Sequence, residues 1–189
     1  PVLNETHAGI ILLINKNLEI ISQSEVIPGR LLNAQLKHSN STINLTVFYG
    51  HQWAKMKKED ITNTFRYFDN MHEADGTNMI IGDFNFVDQD VDKGKNMDQR
   101  DKMIFPIWET FLSENNMIDP FRQQCPKKKL FSFIGPQGKS RGDRLYTSEE
   151  ISRSIKNFRY ITTPFNGAHK IMTFDWQSEQ QIGPSSWKI

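Results

Sequence analysis

The feature that most constrains the fold is a series of short apolar runs rich in β-branched residues, separated by clusters of turn-forming residues. Runs of this length suit buried strands, and a short polar loop between two of them is typical of a hairpin. Residues 8–14 and 19–22 are therefore predicted to form one hairpin, joined by a turn at 15–17. Residues 30–36 and 43–49 are predicted to form a second.

The rest of the chain adds more strands and only a few helices. Further strands are predicted at residues 79–82, 130–134, 143–147, 158–162 and 170–174. Apolar side chains recur at helical spacing in residues 58–74 and 103–114, and Glu149 and Glu150 favour a brief helix, because acidic residues stabilise a first turn. The regular strand–helix alternation of a doubly wound parallel sheet is missing. The pattern predicts an α+β protein with two packed sheets and helices outside.

Composition limits the classes of protein to which the chain can belong. Of 189 residues, 37% are apolar and 24% charged, which is typical of one globular domain. No apolar run approaches the roughly 18–20 residues that cross a bilayer, no secretory signal opens the chain, and Cys125 is the single cysteine. We expect no membrane association and an intracellular protein, nuclear or cytoplasmic. The formal net charge of +1 is uninformative as a sum.

Basic residues crowd into one stretch, residues 127–144. This stretch could form a surface that contacts phosphates, or a solvated loop that keeps the protein soluble.

The tetrapeptide Gly82-Asp83-Phe84-Asn85 is the most informative short motif, because it directly follows a predicted buried strand. A carboxylate and a carboxamide two residues apart at a strand end point to the same side, where they can hold a water and a phosphate oxygen together. The alternative is an ordinary type I turn, in which Asp and Asn are common.

Two other segments carry residues of the same kind. Asp143 begins one predicted strand, and His169 directly precedes another. Each alone suits a surface carboxylate or a loop histidine. If they meet at one sheet edge, the pair would form an oriented, basic imidazole.

In order and spacing, the segments at residues 82–85, 140–143 and 167–169 resemble motifs of the endonuclease/exonuclease/phosphatase superfamily. Within that superfamily they are most similar to the apurinic-type endonuclease domains of LINE-like (non-LTR) retrotransposons. The resemblance implies a DNase I-like fold, a two-layered β-sandwich flanked by helices. The tail, which contains Gly183-Pro-Ser-Ser-Trp187, resembles the exit from such a domain. We therefore divide the chain into a domain at 1–176 and an exit segment at 177–189.

The resemblance also implies roles for four residues. Asp83 would orient or activate the attacking water, and Asn85 would contact the scissile phosphate. His169 would bind and polarise a phosphate oxygen, with Asp143 orienting its imidazole.

Substrate and cofactor follow from the same resemblance. Tyr49, Arg141 and Arg144 are assigned to substrate binding, although Tyr49 could instead be an aromatic that ends a core strand. The expected cofactor of an active enzyme is Mg²⁺, and the expected partner is the phosphate backbone of DNA, with RNA as the alternative.

The chain also departs from the family pattern. Ala168 stands where the family has an aspartate before the histidine, and Gly167 replaces a serine. The strand with the family's metal-binding glutamate is not evident, and Glu5 is the one candidate for that ligand. We expect the fold to lack its first strands, which would leave a sheet edge for a protein partner to cover.

Three functions remain open. The first is a divalent-metal-dependent DNA endonuclease, impaired in this chain by those departures. The second is a catalytically inactive, domesticated domain that serves as a structural, nucleic-acid-binding or protein-binding module. The third is a phosphatase or nuclease for small or RNA substrates, since one fold hosts all of these.

Overall fold

The structure, a computed structural model, describes residues 8–68, 76–136, 138–162 and 167–176. Its strands are β1 (Glu19–Ile27), β2 (Leu31–His38), β3 (Ser41–Tyr49), β4 (Thr77–Asp83), β5 (Met117–Ile118), β6 (Phe133–Gly135), β7 (Gly138–Ser140), β8 (Asp143–Ser148), β9 (Ile155–Ile161) and β10 (Ile171–Trp176). Its α-helices are α1 (Lys58–Arg66), α2 (Gln99–Glu114), α3 (Pro120–Gln124) and α4 (Glu149–Ser152). Within these ranges, no helix combines the length and the apolar character needed to span a bilayer.

A six-stranded sheet in the order β1-β2-β3-β4-β8-β5 organises the molecule. Neighbouring strands pair antiparallel except β3 and β4, which run parallel because the chain between them crosses over through α1. The strands β9 and β10 form a second sheet, and β6 pairs with β7 in a small hairpin.

Both faces of the six-stranded sheet are covered over its central strands, whereas most of β1 is exposed. Because side chains alternate along a strand, Ile80 and Tyr146 face one layer, while their neighbours Met79 and Leu145 face the other. The first layer is an aromatic core that includes Trp108 of α2. The second layer is supplied largely by β9 and β10. The predicted α+β class, with packed sheets and flanking helices, is confirmed.

The first predicted hairpin is wrong. Residues 8–14 form no regular strand, although the predicted turn at 15–17 does form. The strand β1 pairs with β2 instead, through a turn closed by the Arg30 amide, which donates to the Ile27 carbonyl at 2.9 Å. Gly29 lies in this turn with φ of 65°, a conformation that favours glycine. Pro28-Gly29 is a stronger turn signal than the asparagine turn upstream.

Other predicted elements exist with different bounds. The helix predicted at 58–74 ends at Arg66, and residues 69–75 lie outside the described part of the chain. Asp119 caps the short helix α3, because its carboxylate accepts a hydrogen bond from the Arg122 amide at 3.0 Å. The brief helix predicted at Glu149 is confirmed as α4.

A buried ion-pair network fixes the loop that precedes β8. Asp92 is fully buried and accepts hydrogen bonds from Arg141 Nε at 2.5 Å and Arg141 Nη2 at 3.0 Å, and from Arg122. Arg141 Nη2 also donates to Asp119 at 2.6 Å. Burial alone would raise the pKa of Asp92, but Arg141, together with the charges of Arg122 and Arg144, outweighs it and the pKa is lowered. The carboxylate is therefore ionised, and it ties two distant loops together.

We expect Asp92→Asn to destabilise the protein by about 3–5 kcal/mol, because it leaves buried guanidinium groups uncompensated. Urea unfolding would measure the loss. As a matched control, Glu109→Gln on the exposed face of α2 should change the free energy of unfolding by about 0.5 kcal/mol or less. Equal effects of the two substitutions would contradict this account.

Candidate active site

Three neighbouring strands bring the predicted site residues to one sheet edge. Asp83 ends β4 and lies opposite Asp143, the first residue of β8. Tyr49 ends β3 and pairs with Asp83 from the other side. His169 reaches the same edge because it forms an isolated bridge with Phe133 of β6. Backbone pairing therefore assembles residues that are far apart in the sequence.

The turn after β4 points Asp83 and Asn85 to the same side. The Asp83 carboxylate accepts a hydrogen bond from the Asn85 amide at 3.0 Å, and Asn85 adopts a left-handed φ of 55°. The Asn85 side-chain Nδ2 donates to the Gly50 carbonyl at 2.8 Å, and the Gly50 amide donates to the Asp83 carbonyl at 2.6 Å. Asparagine tolerates the left-handed region better than most residues.

Two glycines make room for this turn. Gly82 has φ of 151°, and a Cβ there would lie 1.8 Å from the Phe48 carbonyl oxygen. At Gly142, a Cβ would lie 2.9 Å from Asp83 Oδ1. Gly82 therefore permits the close approach of β4 to β3, while Gly142 leaves space for the Asp83 carboxylate.

His169 and Asp143 form the predicted pair. The distance between His169 Nδ1 and Asp143 Oδ2 is 3.2 Å, and the His169 side chain is 50% exposed. The hydrogen bond to Asp143 raises the pKa of His169 above its ordinary value of 6.5, against a smaller opposing effect of burial. Asp143 thus orients the His169 ring and favours its charged form. The contact uses Nδ1, so Nε2 takes no part in it.

Asp83 is electrostatically coupled to the pair. Burial raises the pKa of Asp83, and the nearby Asp143 carboxylate raises it further, while the Asn85 amide and His169 oppose them. One ligand atom from each of Asp83, Asp143 and His169 lies within 4.8 Å of the others. These three residues could hold a metal ion.

A cavity of about 180 Å³ opens in front of these residues. Its lining residues are Asp83, Asn85, Phe86, Val87, Lys93, Arg100, Asp101, Phe133, Ser140, Gly142 and His169. The Phe133 ring lies edge-on to the His169 ring, with 5.0 Å between ring centroids. Sequence reasoning missed Lys93, Arg100 and Phe133, because none stands in a recognisable motif. Gly142 could have been found, because it stands inside the motif at residues 140–143.

The expected substrate-binding arginines occupy different surroundings. Arg141 and Arg144 are 1% and 0% exposed. Arg144 Nη1 donates to Asp88 at 2.6 Å, and its guanidinium lies 4.6 Å from the Phe86 ring centroid. Burial leaves neither arginine a surface for DNA, so the expectation of substrate contact is corrected to a structural role.

The remaining predicted residues are only partly described. Tyr49 is half-buried, does not line the cavity, and carries the Arg30 guanidinium 4.5 Å from its ring centroid. Ala168 accepts a hydrogen bond from the Ile134 amide through its carbonyl at 2.8 Å. Glu5 and the exit segment at 177–189 lie outside the described residues.

Several solved structures share this architecture. The endonuclease domain of TRAS1, a telomere-specific non-LTR retrotransposon, matches with a TM-score of 0.65 at 14% identity, over 88% of this chain and 72% of that domain. An AP endonuclease from Archaeoglobus fulgidus matches with a TM-score of 0.63 at 14% identity, over 79% of this chain and 66% of that one. The 3'-5' exonuclease NExo from Neisseria meningitidis matches with a TM-score of 0.60 at 15% identity, over 79% and 65% of the two chains.

The chain has the AP endonuclease fold. A sequence relative is similar as well: the uncharacterized 149 kDa protein of transposon TX1 from Xenopus laevis, 24% identical over 171 residues. The match covers 85% of this chain but only 12% of that protein. No protein-family model matches the sequence. The resemblance seen in the motifs, to apurinic-type endonuclease domains of LINE-like elements, is confirmed.

We expect Asp143→Asn to lower the pKa of His169 towards 6.5, because the neutral amide no longer stabilises the imidazolium. An NMR titration of the imidazole resonances would measure the shift. His51 provides an internal control, since burial and then Arg30 lower its pKa to about 4 in either protein. A His169 pKa that does not change in the variant would contradict the assigned pair.

Proposed function

We propose that this domain hydrolyses phosphodiester bonds of DNA with the help of a divalent metal ion. One observation carries the proposal: Asp83, Asn85 and the His169–Asp143 pair converge on a single cavity at a sheet edge. In-line attack on a phosphate needs groups that are held in fixed positions around it. Groups at strand ends and in hydrogen-bonded turns meet that requirement.

Asp83 is the group that would activate water. Its raised pKa brings a carboxylate closer to the range in which it can accept a proton at neutral pH. Asn85 would bind a non-bridging oxygen of the scissile phosphate. Its Nδ2 donates one hydrogen to the Gly50 carbonyl. This bond fixes the side-chain amide and leaves the second hydrogen of Nδ2 for the substrate.

His169 would contact the phosphate as a cation. Its pKa is raised by Asp143, so the imidazolium is favoured, and Nε2 can donate to a phosphate oxygen as negative charge develops there. Asp143 acts through the histidine, as a positioning residue. The Asp143 amide in turn donates to Ser132 Oγ at 3.0 Å, which holds the backbone of the pair in place.

The donor set suits a divalent ion. Carboxylate oxygens of Asp83 and Asp143 are hard ligands of the type that Mg²⁺ prefers. A bound ion would stabilise the charge that develops on the phosphoryl and leaving oxygens. Glu5, predicted as a ligand from the resemblance, stays a prediction.

A second candidate function is a catalytically inactive module that binds nucleic acid or protein. Ala168, beside His169, supports it, because alanine offers no ligand to a cation or to water. The two candidates share the fold and the cavity. They differ in whether the chain cleaves DNA.

Cleavage is tested with supercoiled plasmid and Mg²⁺. We expect the chain to nick the plasmid and Asp83→Ala to slow nicking by about 10²–10⁴-fold, the usual contribution of a general base. Asp60→Ala, which removes an exposed carboxylate from the first turn of α1, should leave the rate unchanged. A folded wild-type chain that does not nick would favour the inactive module.

Gly142→Ala tests the position of the carboxylate without removing it. The added Cβ would meet Asp83 Oδ1 at 2.9 Å and push the carboxylate aside, so we expect nicking to fall about 10–100-fold. Melting should change little, because the displaced atom is the end of a side chain. Gly9→Ala is the control, since a Cβ there meets nothing within 4 Å. Full activity of Gly142→Ala would contradict the role given to Asp83.

A further inference from the structure

The basic stretch at residues 127–144 divides into two parts that differ in exposure. Arg141 and Arg144 are buried in ion pairs, whereas Lys127, Lys128 and Lys129 are all exposed. The three lysines lie in a loop at residues 125–129, between α3 and β6, which we call the lysine loop. Its exposure and charge set it apart from the arginines of the same stretch.

We propose that the lysine loop is a second contact surface for DNA, which binds the phosphate backbone of the strand beside the cavity. The proposal rests on the function proposed above, since it takes DNA as the ligand. It assigns to the lysines the backbone contact that the buried arginines cannot make.

The lysine loop is held in shape by a buried cation. Arg122, 7% exposed, donates through Nη1 to the carbonyls of Cys125 at 2.8 Å, Pro126 at 3.2 Å and Lys128 at 3.1 Å. The Lys128 amide closes the turn on the Cys125 carbonyl at 3.2 Å. Fixed backbone lowers the entropic cost of presenting three charges to a ligand.

The same arginine connects the loop to the site. Arg122 pairs with Asp92, and Asp92 pairs with Arg141, which directly precedes Gly142 and Asp143. Two ion pairs that share the Asp92 carboxylate therefore connect the lysine loop to the strand that carries Asp143. Displacement of the loop would have to break buried ion pairs.

The lysines also lie close to the cavity along the chain. Three residues separate Lys129 from Phe133, which lines the cavity, so their Cα atoms are at most about 14 Å apart. Ser132, between them, accepts the hydrogen bond of the Asp143 amide. Phosphates follow one another along a DNA strand at about 3.4 Å of axial rise. A strand seated in the cavity therefore carries several phosphates within reach of the loop.

The charges of the loop are available to a ligand. Among the ion pairs of the described residues, none involves Lys127, Lys128 or Lys129. Lys93, by contrast, lines the cavity but is paired with Asp98 and Asp101. Lysines without a carboxylate partner gain most from a phosphate, because binding releases counterions from the DNA.

Binding is measured by fluorescence anisotropy with a labelled DNA duplex of about two helical turns, in EDTA and at several salt concentrations. The test variant is Lys127→Gln/Lys128→Gln/Lys129→Gln. The matched control, Lys55→Gln/Lys57→Gln/Lys58→Gln, removes the same charge from exposed lysines at the start of α1. We expect the test variant to bind at least tenfold more weakly at low salt. The slope of log K against log salt should fall by about 2–3, near 0.9 per lost contact.

The outcomes separate clearly. Weaker binding and a smaller slope in the test variant alone support the proposal. Equal losses of affinity in both variants overturn it, because they would reflect only the change in net charge. Unchanged binding in both variants overturns it as well. The same variants are also measured with an RNA duplex of equal length. If the test variant loses affinity for RNA but not for DNA, the proposal is overturned. EDTA prevents metal-dependent cleavage, so a domain that never nicks DNA can still pass this test, and one that nicks can fail it.

Discussion

The main-chain register between β4 and its two neighbours is the constraint on which the rest of the site depends. It sets Asp83 opposite Asp143 on one side and opposite Tyr49 on the other. Because alternate side chains face opposite layers, a slip of one residue would turn Asp83 away from the cavity and move Ile80 out of the aromatic core. The hydrophobic core and the polar edge are therefore specified by the same hydrogen bonds. Gly82 permits this register, since any side chain there would collide with β3.

Buried charge supports that edge from behind. Arg141 and Asp92 link the loop before β8 to α3, and Arg144, which pairs with Asp88, lies against the Phe84 ring. Such pairs contribute little net stability when complete, but removal of one partner leaves an uncompensated charge. Their effect here is to fix backbone positions around Asp83 and Asp143. The cations of these pairs are arginines, whose planar guanidinium can donate to several acceptors at once.

The four polar residues of the short motifs were predicted correctly to lie together, whereas the surroundings of the neighbouring arginines were not predicted. Asp83, Asn85, Asp143 and His169 do converge, as the motif order predicted, because strand ends are places where such residues meet. Arg141 and Arg144 stand in the same stretch and were expected at the surface, but their burial depends on Asp92, Asp119 and Asp88. Those carboxylates lie 22 to 56 residues away in the sequence, and no local pattern indicates the pairing. The cavity residues Lys93 and Phe133 were missed for the same reason.

The sequence by itself determined the alternation of strands, the helices α1 and α2, the α+β class and the four polar residues at the sheet edge. These features rest on local periodicity and on short motifs, which neighbouring residues encode. The tertiary structure alone decided that β1 pairs with β2 through Pro28-Gly29, and that residues 8–14 form no strand. It also decided which basic residues are buried. Strand partners and buried ion pairs depend on contacts between distant segments, and those contacts exist only once the chain has folded.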